Sequence, residues 1–264
     1  MRHLDLFSGI GGFALACKWT GIETIGFVEI DSFCQKILNK NFPNIPIIGD
    51  IKDVKENTFP KPVDIITGGF PCQDISIAHS TSKPQGLDGE RSGLWNEYKR
   101  LVSTIRPRFV IVENTSALLF RGLSRVLGDL SEIGYDAEWK VISAKTIGAP
   151  HKRDRVWIVS YPRGEFGFDR FIFSRDSEKV DFWDKDKEKW SINRNFAKMG
   201  TEALSRLDIE WAKGNCNPKF LRISNGIPNQ LDRLRGLGNS IVPQIAYQII
   251  KAIKDSATVA KCRK

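Results

Sequence analysis

Over the first 160 residues, short apolar runs alternate with stretches of helical composition. Leu4–Phe7, Thr24–Glu29, Ile47–Ile51, Val63–Thr67, Arg108–Glu113, Glu138–Ser143 and Val156–Ser160 have the length and composition of strands. Between them, Phe13–Trp19, a segment capped by Asp31-Ser32 and running to about Asn41, Gly93–Ile105 and Leu118–Ile133 read as helices. Such alternation predicts an α/β fold, a Rossmann-like, doubly wound and mostly parallel sheet over residues 1–161. From Pro162 the alternation stops. Residues 162–225 mix aromatics with charges of both signs, which predicts a small irregular subdomain, or alternatively a solvated surface excursion. Residues 226–264 form a C-terminal segment, with an apolar-periodic helix from Pro243 to about Ile253 and a frayed, basic end from Ser256.

The strand ends carry the candidate chemistry, because open α/β sheets bind and react at the carboxyl ends of their strands. Ser8-Gly9-Ile10-Gly11-Gly12 is a glycine turn between a strand and a helix, where backbone can approach a ligand closely. The next two strands end in Glu29 and Asp50. Glu29 stands at about the spacing where a carboxylate takes ribose hydroxyls. Ordinary loop carboxylates are the alternative for both. Gly9-x-Gly11-x-x-Ala14 also satisfies a dinucleotide fingerprint, without distinguishing a nicotinamide cofactor from another adenosine compound.

Past the fourth strand, Gly68-Gly69-Phe70-Pro71-Cys72-Gln73 presents a lone cysteine just after a proline. A thiol there could be a nucleophile if nearby positive charge lowers its pKa; otherwise it is a small buried hydrophobe. The polar stretch 75–93, with Ser76 and Arg91, is long enough to be a functional loop. Glu113-Asn114 places an acid beside an amide at the fifth strand end, and Arg153 and Arg155, two apart, would share one strand face.

Composition narrows the classes. Forty Lys and Arg against thirty-one Asp and Glu give a formal charge of +9, which favours an anionic partner such as nucleic acid. Five widely spaced cysteines with no C-x-x-C pair argue against a disulfide framework and against a zinc or other metal site. No apolar run approaches a membrane span and the first residues enter a strand directly, so the expectation is a cytoplasmic protein without membrane association.

Taken in order, these blocks resemble the DNA (cytosine-5)-methyltransferases, in their short bacterial and phage form. Asp5–Phe13 is similar to the cofactor loop, Phe27–Asp31 to the ribose-binding acid with its neighbours, and Gly49-Asp50-Ile51 to the adenine-reading block. Gly69–Gln73 resembles the nucleophile motif, Glu113-Asn114 the base-holding motif and Arg153-Asp154-Arg155 the basic motif. Leu237–Pro243 resembles the block that returns beside the cofactor. His151 and Thr115 depart from the family's usual glutamine and valine.

The resemblance implies S-adenosylmethionine as cofactor, held by Phe7, Ser8, Gly9, Gly11, Gly12, Glu29, Ile30, Asp50, Ile51, Phe70, Pro71, Asn239 and Ser240. It implies Cys72 as a nucleophile on C6 of a flipped-out cytosine, next to Gln73, with Glu113 on the ring's N3 and amino group. Asn114 would orient its surroundings. Arg153 and Arg155 would lie around the target base and its phosphates, with Arg155 structural and paired to a carboxylate as the alternative. Double-stranded DNA is the implied partner, contacted by Ser76 and Arg91 in a closing loop. Residues 162–225 would serve as the target-recognition region, where Arg163, Arg170, Arg175, Lys179, Arg194 and Asn195 could read bases or touch phosphates. A monomer suffices for this reaction, and a companion restriction endonuclease fits the family. An RNA cytosine-5 methyltransferase, a catalytically silent DNA-binding relative and a nicotinamide oxidoreductase remain as competing readings.

Overall fold

Strand β1 (Arg2–Leu6) runs beside β2 (Glu23–Val28) and β4 (Ile65–Gly68), all parallel, at the centre of a seven-stranded sheet of order β3-β2-β1-β4-β5-β7-β6. This is a computed structural model, and it describes residues 1–71, 93–147, 149, 152–164, 173 and 236–261. Strand β3 (Ile47–Ile48) and β5 (Phe109–Thr115) continue the parallel set on either side. Strand β7 (Asp154–Pro162) runs antiparallel to β5 and pairs in turn with β6 (Tyr135–Ser143). The sheet matches the expected mostly parallel, doubly wound architecture. Its order reverses at β1, where ligands bind in such folds.

Parallel strands buried on both faces read as continuous apolar runs, and β5 shows why. Phe109 and Ile111 pack with α1 (Gly12–Thr20) and the C-terminal helix on one side. Val110 and Val112 pack with α3 (Leu94–Ile105) and α5 (Leu123–Glu132) on the other. All four are completely buried. Helix α2 (Ser32–Asn41) starts where expected, because the Asp31 carboxylate accepts from the amides of Phe33 and Cys34.

Three expected boundaries are corrected. The third strand ends at Ile48, since Asp50 turns the chain into a short 3₁₀ segment, Ile51–Asp53, by accepting from the Lys52 amide. The single helix expected over 118–133 is two. Helix α4 (Leu118–Arg121) closes when the Gly122 amide bonds to the Leu118 carbonyl, and α5 restarts from Gly122. The last helix, α6 (Pro243–Lys261), continues past Ser256 instead of fraying there, because Ala257 is buried in the α1 core. The proposed 162–225 region lies almost wholly outside the described residues.

Candidate active site

The glycine turn and the acid at the end of β2 form one unit. Glu29 is buried, with its carboxylate oxygens accepting from the Gly9 amide at 2.6 Å and the Asp31 amide at 2.8 Å. Burial, opposed by the Asp31 and Gly9 amides, holds its pKa above the usual carboxylate range. Gly9 and Gly11 both have positive φ, 53° and 88°, and a side chain on Gly9 would meet only open space. Phe7 is a non-glycine residue at φ 52°, a conformation of order 1–3 kcal/mol above the usual wells. Its ring stacks on Tyr98, 6.4 Å between centroids. Ser8 holds the turn to the sheet through hydrogen bonds to Asp5 and Val28 carbonyls. Next to Glu29, Ile30 is 75% exposed, an apolar side chain with nothing packed over it among the described residues. Asp50 and Ile51 flank the same edge.

Closing this edge from the C-terminal side is the segment before α6. Gly12 meets Ile241 so closely that an added Cβ would stand 2.6 Å from Ile241 Cγ1, and one on Gly236 would stand 3.3 Å from Ile10. Asn239 is exposed and Ser240 half-buried within that segment.

Two strands away, Glu113 lies on the β5 face that carries Ile111, and its register partner on β7 is Trp157. Thr115 and Arg155 are the next pair on that face. Arg155 Nε lies 3.1 Å from Glu113 Oε1, an ion pair whose N–H is not well aimed, since that oxygen lacks a directed hydrogen bond. Burial raises the Glu113 carboxyl to about 7, with Arg155 and then Arg153 pulling the other way. The alternative for Arg155, a carboxylate partner, is what the geometry shows. Arg153 donates to the carbonyls of Gly238 and Ser240. Asn114 reaches the opposite side, donating to the Phe70 carbonyl at 3.3 Å and accepting from the Thr115 amide. Phe70 is buried against Trp95, and Gly69 leaves little room beside Glu113: an added Cβ would stand 3.1 Å from the Glu113 carbonyl oxygen and 3.2 Å from Oε2. Thus the turn that leads to Cys72 passes close beside Glu113 at Gly69.

The family model for C-5 cytosine-specific DNA methylases matches residues 1–215. The chain belongs to that family. Among curated relatives, the chain is 34% identical over 194 residues to the type II methyltransferase M.CviJI of Paramecium bursaria Chlorella virus IL3A, covering 73% of this chain and 51% of the relative. It is 33% identical over 182 residues to M.HhaI of Haemophilus parahaemolyticus, covering 67% and 54%. The chain therefore spans about half the length of the curated relatives it matches. A solved DNMT2 variant from Spodoptera frugiperda shares the fold, with TM-score 0.52 and 19% identity over 64% of this chain and 53% of that one.

The structure places Glu113, Asn114, Arg155 and Phe70 at one end of the site and Phe7, Ser8, Gly9, Gly11, Gly12, Glu29 and Ile30 at the other, with Asp50 and Ile51 beyond the end of β3, Pro71 following Phe70, and Arg153 bonded to the Gly238 and Ser240 carbonyls on either side of Asn239. Cys72, Gln73, Ser76, Arg91, His151, Arg170, Arg175, Lys179, Arg194 and Asn195 lie outside the described residues. Arg163 lies at the far edge of the sheet, bound to Asp136 and Ser131 and not near the cleft. Sequence reasoning gave Asp5 no role beyond opening the block similar to the cofactor loop, and it missed His3. Thr67 donates to Asp5 Oδ1, and His3 joins Thr67 to Thr24, a chain across β2, β1 and β4 that is completely buried at Asp5, Thr67 and His3 and half-buried at Thr24. Its only sequence signal is polar residues alternating with leucines in the first strand. Among the described residues no helix is long and apolar enough to cross a membrane.

Proposed function

We propose that the protein is a DNA (cytosine-5-)-methyltransferase that uses S-adenosylmethionine and Cys72. The observation that carries this reading is Glu113: a buried carboxyl raised to about 7, facing two arginines and close beside the turn that leads to the cysteine. A carboxyl that exchanges a proton near neutrality can donate to cytosine N3 and accept from the 4-amino group.

The donor set fits an adenosine sulfonium. A dinucleotide's diphosphate would need the free amide at the glycine turn, but Gly9 N–H already donates to the Glu29 carboxylate. A second anion would be repelled there. A cationic, phosphate-free cofactor suits that charge, with Glu29 lone pairs left for ribose hydroxyls, Asp50 and Ile51 for the adenine and exposed Ile30 for its face. When bound, S-adenosylmethionine supplies a methyl group carried on a positive sulfur.

The chain's residues account for the other demands. The Cys72 thiolate adds to C6, forming a C–S bond and moving ring electrons toward N3 and C5, while Glu113 and its arginines stabilise the charge on N3. Asn114 holds the Phe70 carbonyl, and with it the approach to Cys72. Once C5 carries the methyl group, loss of its proton and expulsion of the thiolate restore the aromatic ring. Duplex DNA as substrate is supported by the family and by the +9 charge.

The test is incubation of the protein, beside Cys72→Ala, with unmethylated duplex DNA and S-adenosylmethionine, followed by base-resolution sequencing. Methylation by the parent alone supports the reaction and the nucleophile. Methylation by both would remove Cys72 from its role, and activity on tRNA only would replace DNA as substrate.

A further inference from the structure

Arg153 was expected around the target base and its phosphates, yet its guanidinium reaches toward the other half of the site. Nη2 donates to the Gly238 and Ser240 carbonyls, both at 2.7 Å, the two that flank Asn239. One residue further on, Ile241 is packed on Gly12 at the mouth of the glycine turn. Arg153 therefore holds, through two charge-assisted bonds, the segment that covers this turn. Arg153 stands two residues before Arg155, whose Nε pairs with Glu113 at 3.1 Å, and the charges of that pair act on its guanidinium, whose Nε is buried with no hydrogen-bond partner among the described residues.

We propose that Arg153 is a positioning residue that couples the cofactor turn to the base-holding carboxyl: it clamps the carbonyls on either side of Asn239 and presents its charge to Glu113. An arginine placed immediately before β7 is a suitable coupler because that strand carries Arg155, so displacement of the closing segment shifts the cation beside Glu113. By linkage, whatever orders the closing segment also biases the carboxyl, and the reverse. The proposal deepens the proposed function and rests on the glycine turn being the S-adenosylmethionine site.

The experiment measures binding of S-adenosylhomocysteine by calorimetry and of a duplex oligonucleotide by fluorescence anisotropy. The proteins are the parent, Arg153→Met, Ile241→Ala and the double variant, each checked for an intact thermal transition. Ile241→Ala loosens the clamped segment without touching Arg153. Arg153→Met is expected to weaken S-adenosylhomocysteine about tenfold, the loss of roughly one charged hydrogen bond, with DNA affinity in its absence within about twofold. The double variant should lose less than the two single losses combined. In Arg153→Met alone, the alkaline limb of the rate profile should also move upward. Weakened DNA binding with a reduced salt slope and unchanged S-adenosylhomocysteine affinity would make Arg153 a phosphate contact and overturn the clamp. Fully additive losses would overturn the coupling. If the parent itself failed to bind S-adenosylhomocysteine, the cofactor reading would fall and the proposal with it.

Discussion

Arg155 and Glu113 meet diagonally across β5 and β7, Nε 3.1 Å from Oε1, and burial still raises the carboxyl to about 7. Burial wins over two cations. If protonated Glu113 is the form that supports reaction, kcat should fall as pH rises above about 7. Arg155→Met removes the larger opposing charge, so that limb should move up by roughly one unit as kcat drops. A limb that stayed in place would show that another group sets it.

The same shift has a stability consequence of fixed sign. A carboxyl whose folded pKa is raised favours the fold most below its ordinary value of 4.5, and that contribution is lost as pH rises through about 7. Glu113→Gln does not titrate. Its stability relative to the parent should improve by roughly 3 kcal/mol between pH 4.5 and 7. Urea midpoints at the two pH values check this, and a constant difference would contradict it.

Glu29 makes its two backbone bonds with both carboxylate oxygens, and a glutamine can offer only one oxygen. Glu29→Gln leaves an N–H facing an amide. S-adenosylhomocysteine affinity should drop by about tenfold to a hundredfold, read by calorimetry. An affinity within twofold of the parent would place the cofactor elsewhere.

His3 is completely buried, and burial lowers its imidazole to about 3. The unfolded chain takes a proton at about 6.5 that the folded chain refuses, so this contribution is complete above pH 6.5 and lost as pH falls toward 3. Asp5, raised by burial, acts with the opposite sign, which makes a comparison with His3→Phe necessary. The variant's deficit should shrink by about 2 kcal/mol between pH 7 and 5, measured by urea unfolding. A deficit independent of pH would mean that the histidine protonates inside the fold.

Much of the sheet is legible in the sequence because its strands are buried on both faces: Phe109 to Val112 is one apolar run with no polar interruption. The Asp31 cap is legible because it acts two and three residues away. The break at Gly122 is not, since the apolar spacing on either side of it is compatible with one helix. The Arg153 partners lie 85 and 87 residues along the chain, and a contact at that separation leaves no local pattern. Ala257 extends α6 for a similar reason: what holds it is the α1 core, formed by residues far away in sequence. At the site, the acids, the glycines and the arginines are legible as residue types at strand ends. Which arginine faces Glu113 and which faces the closing segment is decided by packing alone.

The bond between Gly9 and Glu29 also bears on how a ligand would arrive. A glycine-rich turn left to itself loses much conformational entropy when a ligand orders it, and that loss weakens binding. Here the turn is already fastened to the sheet by its own carboxylate. Association should then resemble docking into a ready-made socket, with a small heat-capacity change and little dependence of the on-rate on loop rearrangement. The fold supplies the ordering before the ligand arrives.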